Sequence, residues 1–357
     1  MGPPDVVDTA AQAADLEPAP LVVREPLEAF LDDRDIGEGR LEAERIGQGH
    51  SNITFLIRRG RTRVVLRRPP RPPIPPTAHD VLREARLLHA LEETPVRVPR
   101  VLATCDDPAV LGVPFYLMEE MHGKVVTTDI PAALDNPSER RAICAEIVDR
   151  LVEIHAVDWR ACGLEGYGKP SGYLERQLRR FTGLWEHNKT RDLPVVEEVR
   201  AWLADNLPES PESTIVHGDY RLGNVMLGDG PPARVVAIFD WELSTIGDPL
   251  ADLGYFTATW AQAGDPEDLG FGSLNAATRR EGFMSRDELI ERYEAGSGRS
   301  MSALNWYGAL ALWKAAVFME GNYKRFTMGA SDDQYLALFD KGVPALADKA
   351  RDVALAG

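Results

Sequence analysis

Short apolar runs open the interpretable part of the chain. Leu41 to Ile46, Ile53 to Ile57 and Arg63 to Arg67 read as three successive strands, rich in branched residues and bounded by turn residues. Gly47-Gln48-Gly49-His50-Ser51-Asn52 joins the first pair, and Arg59-Gly60 joins the second. The proline-rich stretch from Pro69 to Pro76 excludes a helix or strand interior and predicts a loop. A helix is predicted over Ala78 to Glu93, where Val81, Leu82, Ala85, Leu88 and Leu91 share one face. Val98 to Thr104 and Phe115 to Glu119 complete a lobe of five antiparallel strands with one inserted helix. Residues 26–34 suit a short helix. Residues 1–24, rich in alanine, proline and acids and without periodicity, are expected to form a flexible or loosely packed arm.

Beyond Ser138 the period changes from two to 3.6. Ile143, Ile147, Leu151 and Ile154 mark a helix over Arg140 to His155, followed by helices over Gly172 to Trp185 and Val195 to Asn206. A compact β segment interrupts at Thr214 to His217, Val225 to Leu227 and Val235 to Phe239. Helices resume at Asp287 to Glu294 and Leu304 to Lys324. The chain therefore divides into the arm, a β-rich lobe over 25–122 and a mainly helical lobe over 123–357.

Composition changes this picture in three ways. With 44% hydrophobic and 27% charged residues, the 357-residue chain reads as a globular α+β protein. Its net charge of −16 disfavours nonspecific nucleic-acid binding and docking on anionic membranes. No apolar run approaches a bilayer span and no secretory pattern opens the chain, so a cytoplasmic location is expected. Three scattered cysteines, Cys105, Cys144 and Cys162, argue against a disulfide framework or a zinc site. The charge is uneven. Residues 35–100 carry 13 basic and 8 acidic residues, whereas residues 121–357 carry 25 basic and 36 acidic. A basic first part fits an anionic cofactor held there, and equally fits arginine-rich solvated strands.

The segment with chemical content is His217-Gly218-Asp219-Tyr220-Arg221-Leu222-Gly223-Asn224. An aspartate followed five residues later by an asparagine, between short strands, has a use in phosphoryl transfer. The carboxylate orients an acceptor hydroxyl and takes its proton, while the amide oxygen binds Mg²⁺ without adding charge. Val235 to Asp240 then forms an apolar strand ending in an acid, a second hard-cation ligand. Alone, Asp-x-x-x-x-Asn is a common accident, and Asp240 could cap a turn. Combined with a hairpin carrying a glycine-rich loop, a strand cation and a helix acid, it is far less so.

These blocks, together with Ile238-Phe239-Asp240-Trp241-Glu242, Gly247-Asp248-Pro249 and Asp252-Leu253, resemble the aminoglycoside phosphotransferase family, a small-molecule branch of the protein-kinase-like fold. The resemblance spans about residues 40–325. Val65-Leu66-Arg67-Arg68-Pro69-Pro70 and Gly112 to Glu119 are similar to the kinase-like domains fused to acyl-CoA dehydrogenases. The resemblance implies a bilobal fold with ATP between the lobes and transfer of its γ-phosphate to a small-molecule hydroxyl. It implies Asp219 as the catalytic acid–base group and Asn224 and Asp240 as Mg²⁺ ligands. It implies Gly47, Gly49, Ser51 and Asn52 in the phosphate loop, and Arg67 paired with Glu84 where the family usually has lysine. Met118 to Met121, including Glu119 and Met121, would face the adenine. His217, Asp248, Asp252 and His155 would brace the catalytic loop. No pattern in the sequence points to an oligomeric state.

The arginine at this position is a departure, because its planar fork and a lysine's compact charge are not interchangeable. Either Arg67 or Arg68 supplies the cation. The acceptor also stays open: an acidic second lobe suits polycationic aminoglycosides, while the dehydrogenase-linked branch implies a hydroxyacyl metabolite. The rival from another class is a nucleotide-binding pseudokinase without turnover. Trp306, Tyr307, Trp313, Phe318 and Tyr323 are expected mainly in the core, with some lining the acceptor pocket, and Gln262 to Gly282 is expected to be a loop near its mouth.

Overall fold

The computed structural model describes residues 4–47, 52–71, 79–127, 129–210, 212–265, 276–331 and 333–356. The chain divides into two compact units, Met1–His122 and Gly123–Gly357.

The first unit is built on one five-stranded antiparallel sheet of order β3-β4-β5-β7-β6, with β3 Leu41–Ile46, β4 Ile53–Arg59, β5 Thr62–Arg68, β6 Val101–Cys105 and β7 Phe115–Glu119. Alternation along β5 decides which residue faces which layer. Val64 and Leu66 join Phe55, Ile57, Phe115 and Leu117 in a core that α2 (Arg24–Asp32) covers with Leu27, Phe30 and Leu31. Val65 and Arg67 therefore point to the other face, where helix α3 (Val81–Leu91) brings Glu84. Asp80 caps α3 by accepting from the Arg83 N–H at 3.0 Å. Strand β6 starts at Val101 rather than Val98, because Pro99 has no N–H to give to the ladder, and the short helix α4 (Pro108–Leu111) follows it.

Residues 4–24 differ from the expected loose arm. Strands β1 (Val6–Val7) and β2 (Val22–Val23) pair in parallel, and helix α1 (Ala10–Ala14) between them starts in a Thr9–Gln12 capping box. Leu21 is 1% exposed and Val22 is fully buried in the core under α2. Arg24 pairs with Asp8, and Arg71 donates to Asp5 Oδ1 at 2.8 Å. The segments are too short to leave a periodic signal, so the sequence pattern shows only their polar surroundings.

The second unit sets small sheets among helices. Helix α5 (Pro137–Ala156) follows an Asn136 cap with proline at its first position, and buries Ile143, Ile147, Leu151 and Ile154. Strand β9 (Thr214–Val216) pairs with β12 (Thr245–Gly247). Strand β10 (Val225–Leu227) lies between β8 (Lys124–Val125) and β11 (Val235–Ile238), all antiparallel. Helices α6 (Tyr173–Asn188), α7 (Pro194–Asp205), α10 (Leu304–Thr327) and α11 (Phe339–Leu355) share one core. Trp306 and Trp313 are buried there, and their indole N–H groups donate to the Leu203 and Val196 carbonyls. Helix α9 (Arg286–Ser297) starts in a Ser285–Glu288 capping box.

Two α-helices of the second unit have no counterpart in the sequence-based reading. Helix α8 (Leu250–Thr259) carries Gly254, and a Cβ there would lie 2.6 Å from Tyr307 Cβ, so the glycine permits close approach of α8 to α10. Helix α11 contains Pro344 and Gly342, which weaken its local signal. Of the loop expected over 262–282, residues 266–275 lie outside the described residues. Its flanks are pinned by Arg286 to Asp265 and by Thr278 Oγ1 to the Ala261 carbonyl.

If the 4–24 segment carries core packing, Leu21→Ala should lower the unfolding free energy by about 2–5 kcal/mol, the usual range for a buried leucine truncation. Urea denaturation of the full chain measures it. An unchanged midpoint and slope would mean that the segment is a loose tail.

Candidate active site

The loop after β9 is held from beneath by one buried carboxylate. Asp252 on α8 is fully buried, and its Oδ2 accepts the His217 N–H at 2.7 Å and its Oδ1 the Gly218 N–H at 2.8 Å. His155, at the end of α5, places Nε2 3.2 Å from Asp252 Oδ2 and Nδ1 2.6 Å from the Tyr293 hydroxyl. Burial lowers the His155 pKa against the opposing pull of Asp252, so the ring is neutral. Its Nε2–H then donates to the carboxylate, and Nδ1 accepts from Tyr293. Burial alone would raise the Asp252 pKa, yet the hydrogen bonds from His155 and the Gly218 N–H hold it below the ordinary range.

Gly218 has φ +88, and a Cβ there would sit 2.8 Å from the Leu243 carbonyl oxygen. Position 218 therefore needs glycine for both conformation and space. His217 is also fully buried. Its Nε2 faces the Phe239 carbonyl at 2.9 Å and must donate, while Nδ1 accepts the Asp219 N–H at 3.2 Å. The ring thus fixes Asp219 relative to the end of β11. The Tyr220 hydroxyl ties the same loop to α5 by donating to the Ile147 carbonyl at 2.7 Å.

Each oxygen of the Asp219 carboxylate then receives its own donor. Asn224 Nδ2 donates to Oδ2 at 2.7 Å and to the Asp219 carbonyl at 2.8 Å. The Tyr255 hydroxyl, from α8, donates to Oδ1 at 2.5 Å. Burial, reinforced by the Asp219 charge, raises the Tyr255 pKa far above its ordinary value and keeps it a donor. Arg221 Nε stands 3.6 Å from Oδ2. Because the amide nitrogen of Asn224 is engaged with Asp219, its oxygen lies on the other branch of the planar amide, away from those hydrogen bonds. The Phe239 N–H donates to the Asn224 carbonyl at 2.9 Å, which sets the backbone of Asn224 beside Phe239, past the end of β11 and one residue before Asp240. Asp240 has φ +66, an uncommon left-handed conformation for a non-glycine residue. Asn224 and Asp240 together offer an amide oxygen and a carboxylate, both hard donors. Among the described residues no group of three or more His, Cys, Asp or Glu side chains could hold a metal ion. Two oxygen donors suit a cation that keeps other oxygen ligands, as Mg²⁺ does.

Asp248 lies apart from this cluster. It caps the start of α8 by accepting the Leu250 N–H at 2.9 Å and takes the Tyr307 hydroxyl at 2.7 Å.

In the first unit, Arg67 Nε donates to Glu84 Oε2 at 2.8 Å, with the carboxylate buried. Arg68 is turned the other way. Its guanidinium donates to the Leu21 and Pro69 carbonyls, and burial lowers its pKa to about 10. The strand's alternation thus places Arg67, and not Arg68, beside Glu84. Asn52 is buried, with Oδ1 3.1 Å from His79 Nδ1, and Gly47 has φ +76. Gly49 and Ser51 lie outside the described residues. Glu119 ends β7, where its carboxylate accepts the Arg100 N–H at 3.0 Å, and Met121 follows outside any strand. The sequence-based reading missed Tyr255 and Tyr293. A tyrosine 36 residues from the aspartate it contacts leaves no local signal.

The fold is that of the small-molecule phosphotransferases of the protein-kinase-like type. The model of the phosphotransferase enzyme family matches residues 42–301, and the chain belongs to that family. It is 32% identical over 330 residues to human acyl-CoA dehydrogenase family member 11, covering 90% of this chain and 42% of that protein. It is 36% identical over 310 residues to a probable acyl-CoA dehydrogenase, IBR3, of Arabidopsis thaliana, covering 81% of this chain and 37% of that one. The chain thus spans about two fifths of the length of these curated relatives. Among solved structures, a Ralstonia eutropha protein provisionally called an aminoglycoside phosphotransferase superposes with a TM-score of 0.79 at 32% identity, covering 92% of this chain and 97% of that one. Choline kinase from Cryptosporidium parvum shares the fold, with a TM-score of 0.61 at 11% identity, covering 92% and 96%. No helix among the described residues is long and apolar enough to cross a membrane.

The neutral state of His155 makes a pH prediction. Its folded pKa lies below the unfolded value of about 6.5. As pH falls through about 6.5, the unfolded chain takes up this proton before the folded chain does, so stability declines toward the lower folded value. Unfolding midpoints between pH 7.5 and pH 5 should show that decline, and it should be weaker in His155→Gln. Parallel profiles for the two proteins would contradict a buried neutral imidazole.

Proposed function

We propose that this chain transfers the γ-phosphate of ATP to a hydroxyl group of a small molecule, with Mg²⁺ as the cation. The observation that supports this most directly is the Asp219 carboxylate. Asn224 and Tyr255 fix its two oxygens, and it stands in the wall of a 390 Å³ cavity in the second unit. A carboxylate held from both sides keeps its orientation, and positioning of the nucleophile is most of what phosphoryl transfer requires.

In this reading Asp219 accepts a hydrogen bond from the acceptor hydroxyl. It receives that proton as the hydroxyl oxygen bonds to the γ-phosphorus and the bond to the β–γ bridging oxygen breaks. The proton passes on to solvent, leaving ADP and a phosphate monoester. Asn224, through its amide oxygen, and Asp240 would hold Mg²⁺, which when bound offsets charge on the phosphates. In the first unit Arg67, oriented by Glu84, would take a phosphate, with Gly47, Gly49, Ser51 and Asn52 forming the phosphate loop and Met118 to Met121 the adenine contact. Asp252, His217 and His155 would act through the loop backbone, and Asp248 through α8.

Transfer of labelled γ-phosphate from Mg·ATP and Mg·GTP to a panel of hydroxyl acceptors tests the activity. Asp219→Asn should abolish transfer while nucleotide binding, followed by calorimetry, stays nearly intact. Retained turnover would remove Asp219 from this role, and absence of transfer to every acceptor with nucleotide bound would favour the pseudokinase. Arg67→Ala should weaken ATP binding by about tenfold or more, the order of one lost charge-assisted hydrogen bond. Arg63→Ala should not, because Arg63 pairs with Glu120 at the surface. Equal losses would exclude Arg67 as the phosphate ligand.

A further inference from the structure

The cavity beside Asp219 adjoins a second of 760 Å³, and the two share Tyr173, Phe181, Gly218, Leu243, Lys314 and Phe318 in their walls. Their charges differ. Asp219 and Glu242 border the first cavity together with Arg221 and Lys314, over the fully buried Asp252. Arg180, Lys314, Lys324 and Arg325 border the second, and none of the described residues lining it is an aspartate or glutamate. That is the reverse of the chain as a whole, which has 56 acidic against 40 basic residues. An acid-free cationic wall in so acidic a protein is a local property, opposite to the sign of the lobe that contains it.

Lys314 stands where the two cavities meet. It extends from α10 and makes no hydrogen bond or ion pair with another described residue. Its Nζ lies 4.8 Å from the centre of the Phe181 ring. Burial, helped by Arg180 and opposed by Asp252, lowers its pKa to about 8, so most of it is protonated at neutral pH. A half-buried ammonium without a counter-ion carries a desolvation cost that an incoming anion would offset.

The second cavity is also apolar at its rim. Leu243, Phe318 and Met328 are 57%, 64% and 72% exposed and all border it. They are three of the seven exposed large hydrophobic residues among those described. Isolated exposed apolar side chains need no explanation, but grouping around one cavity does.

We propose that these cavities select an amphipathic acceptor whose hydroxyl sits at Asp219 and whose oxyanion, a carboxylate or a phosphate, is taken by Lys314 at the far end of an apolar chain. The proposal rests on the reading of Asp219 as the group that receives the acceptor. It opposes a polycationic acceptor, which would meet Arg180, Lys314, Lys324 and Arg325 with like charge.

The test uses four probes that share one hydroxyl and one alkyl chain: ω-hydroxydecanoate, ω-hydroxydecyl phosphate, ω-hydroxydecanamide and ω-hydroxydecyl trimethylammonium. Binding to the full chain is measured by calorimetry without nucleotide. The carboxylate or the phosphate should bind about tenfold or more tighter than the amide, the scale of one charge-assisted hydrogen bond, and the ammonium should bind worst. The stronger of the two anions identifies the oxyanion. Lys314→Met should erase the preference, Lys314→Arg should keep it, and Lys341→Met, at an exposed position on α11, should leave it unchanged. Asp219→Asn should lose transfer and still prefer the anion, so failure of the transfer reading and failure of this proposal give different results. The proposal is overturned if neither anion binds more tightly than the amide, including if neither binds, or if Lys314→Met and Lys341→Met behave alike.

Discussion

Much of the second unit depends on one carboxylate that water never reaches. Asp252 is buried on α8 and accepts two consecutive backbone N–H groups, those of His217 and Gly218. A loop that turns sharply leaves such donors unpaired, and burying them unpaired would cost on the order of 1–3 kcal/mol each. Asp252 satisfies both, and His155 in turn satisfies Asp252. Removing the carboxylate would orphan three donors at once: two backbone amides and an imidazole. The position of Asp219 is therefore set by buried groups.

The same economy of contacts runs through the first unit. One face of β5 supplies Val64 and Leu66 to the core under α2, and the other supplies Arg67 to Glu84. Arg68, one residue on, falls on the core side and is captured by carbonyls of the N-terminal segment. Neighbouring arginines of equal charge thus have separate tasks because a strand turns each successive side chain to the opposite face.

How much of this could be read from the sequence depended on distance along the chain. The strands β3, β4, β5 and β7 and the helices α5 and α10 were legible because their apolar patterns are local. Asp219, Asn224 and Asp240 stood out as candidates because they sit within one short β segment. Asp252 and His155 entered through family resemblance. The contact of Asp252 with the loop spans 35 residues and that of His155 with Asp252 spans 97, and both belong to the fold alone. Tyr255 left no trace, since α8 is short and its glycine and threonines weaken the helical pattern. Lys314 was hidden for another reason. A lysine in a helix of aromatic and aliphatic residues reads as the solvent-facing position, whereas here it borders two cavities. Net charge is silent in the same way, because the sum over a lobe carries no information about the few side chains around one opening.

Helix α8 carries Asp252 and Tyr255 three residues apart, on one face. The first holds the backbone of the loop and the second holds the carboxylate that the loop presents. The position and the orientation of Asp219 are thus referenced to a single rigid rod and cannot drift independently. The wall with Lys314 and Phe318 belongs to a different rod, α10. Side chains there can be exchanged without touching the groups that hold Asp219. Such a separation lets a scaffold of this kind diversify in what it recognises while the geometry that holds Asp219 is inherited unchanged.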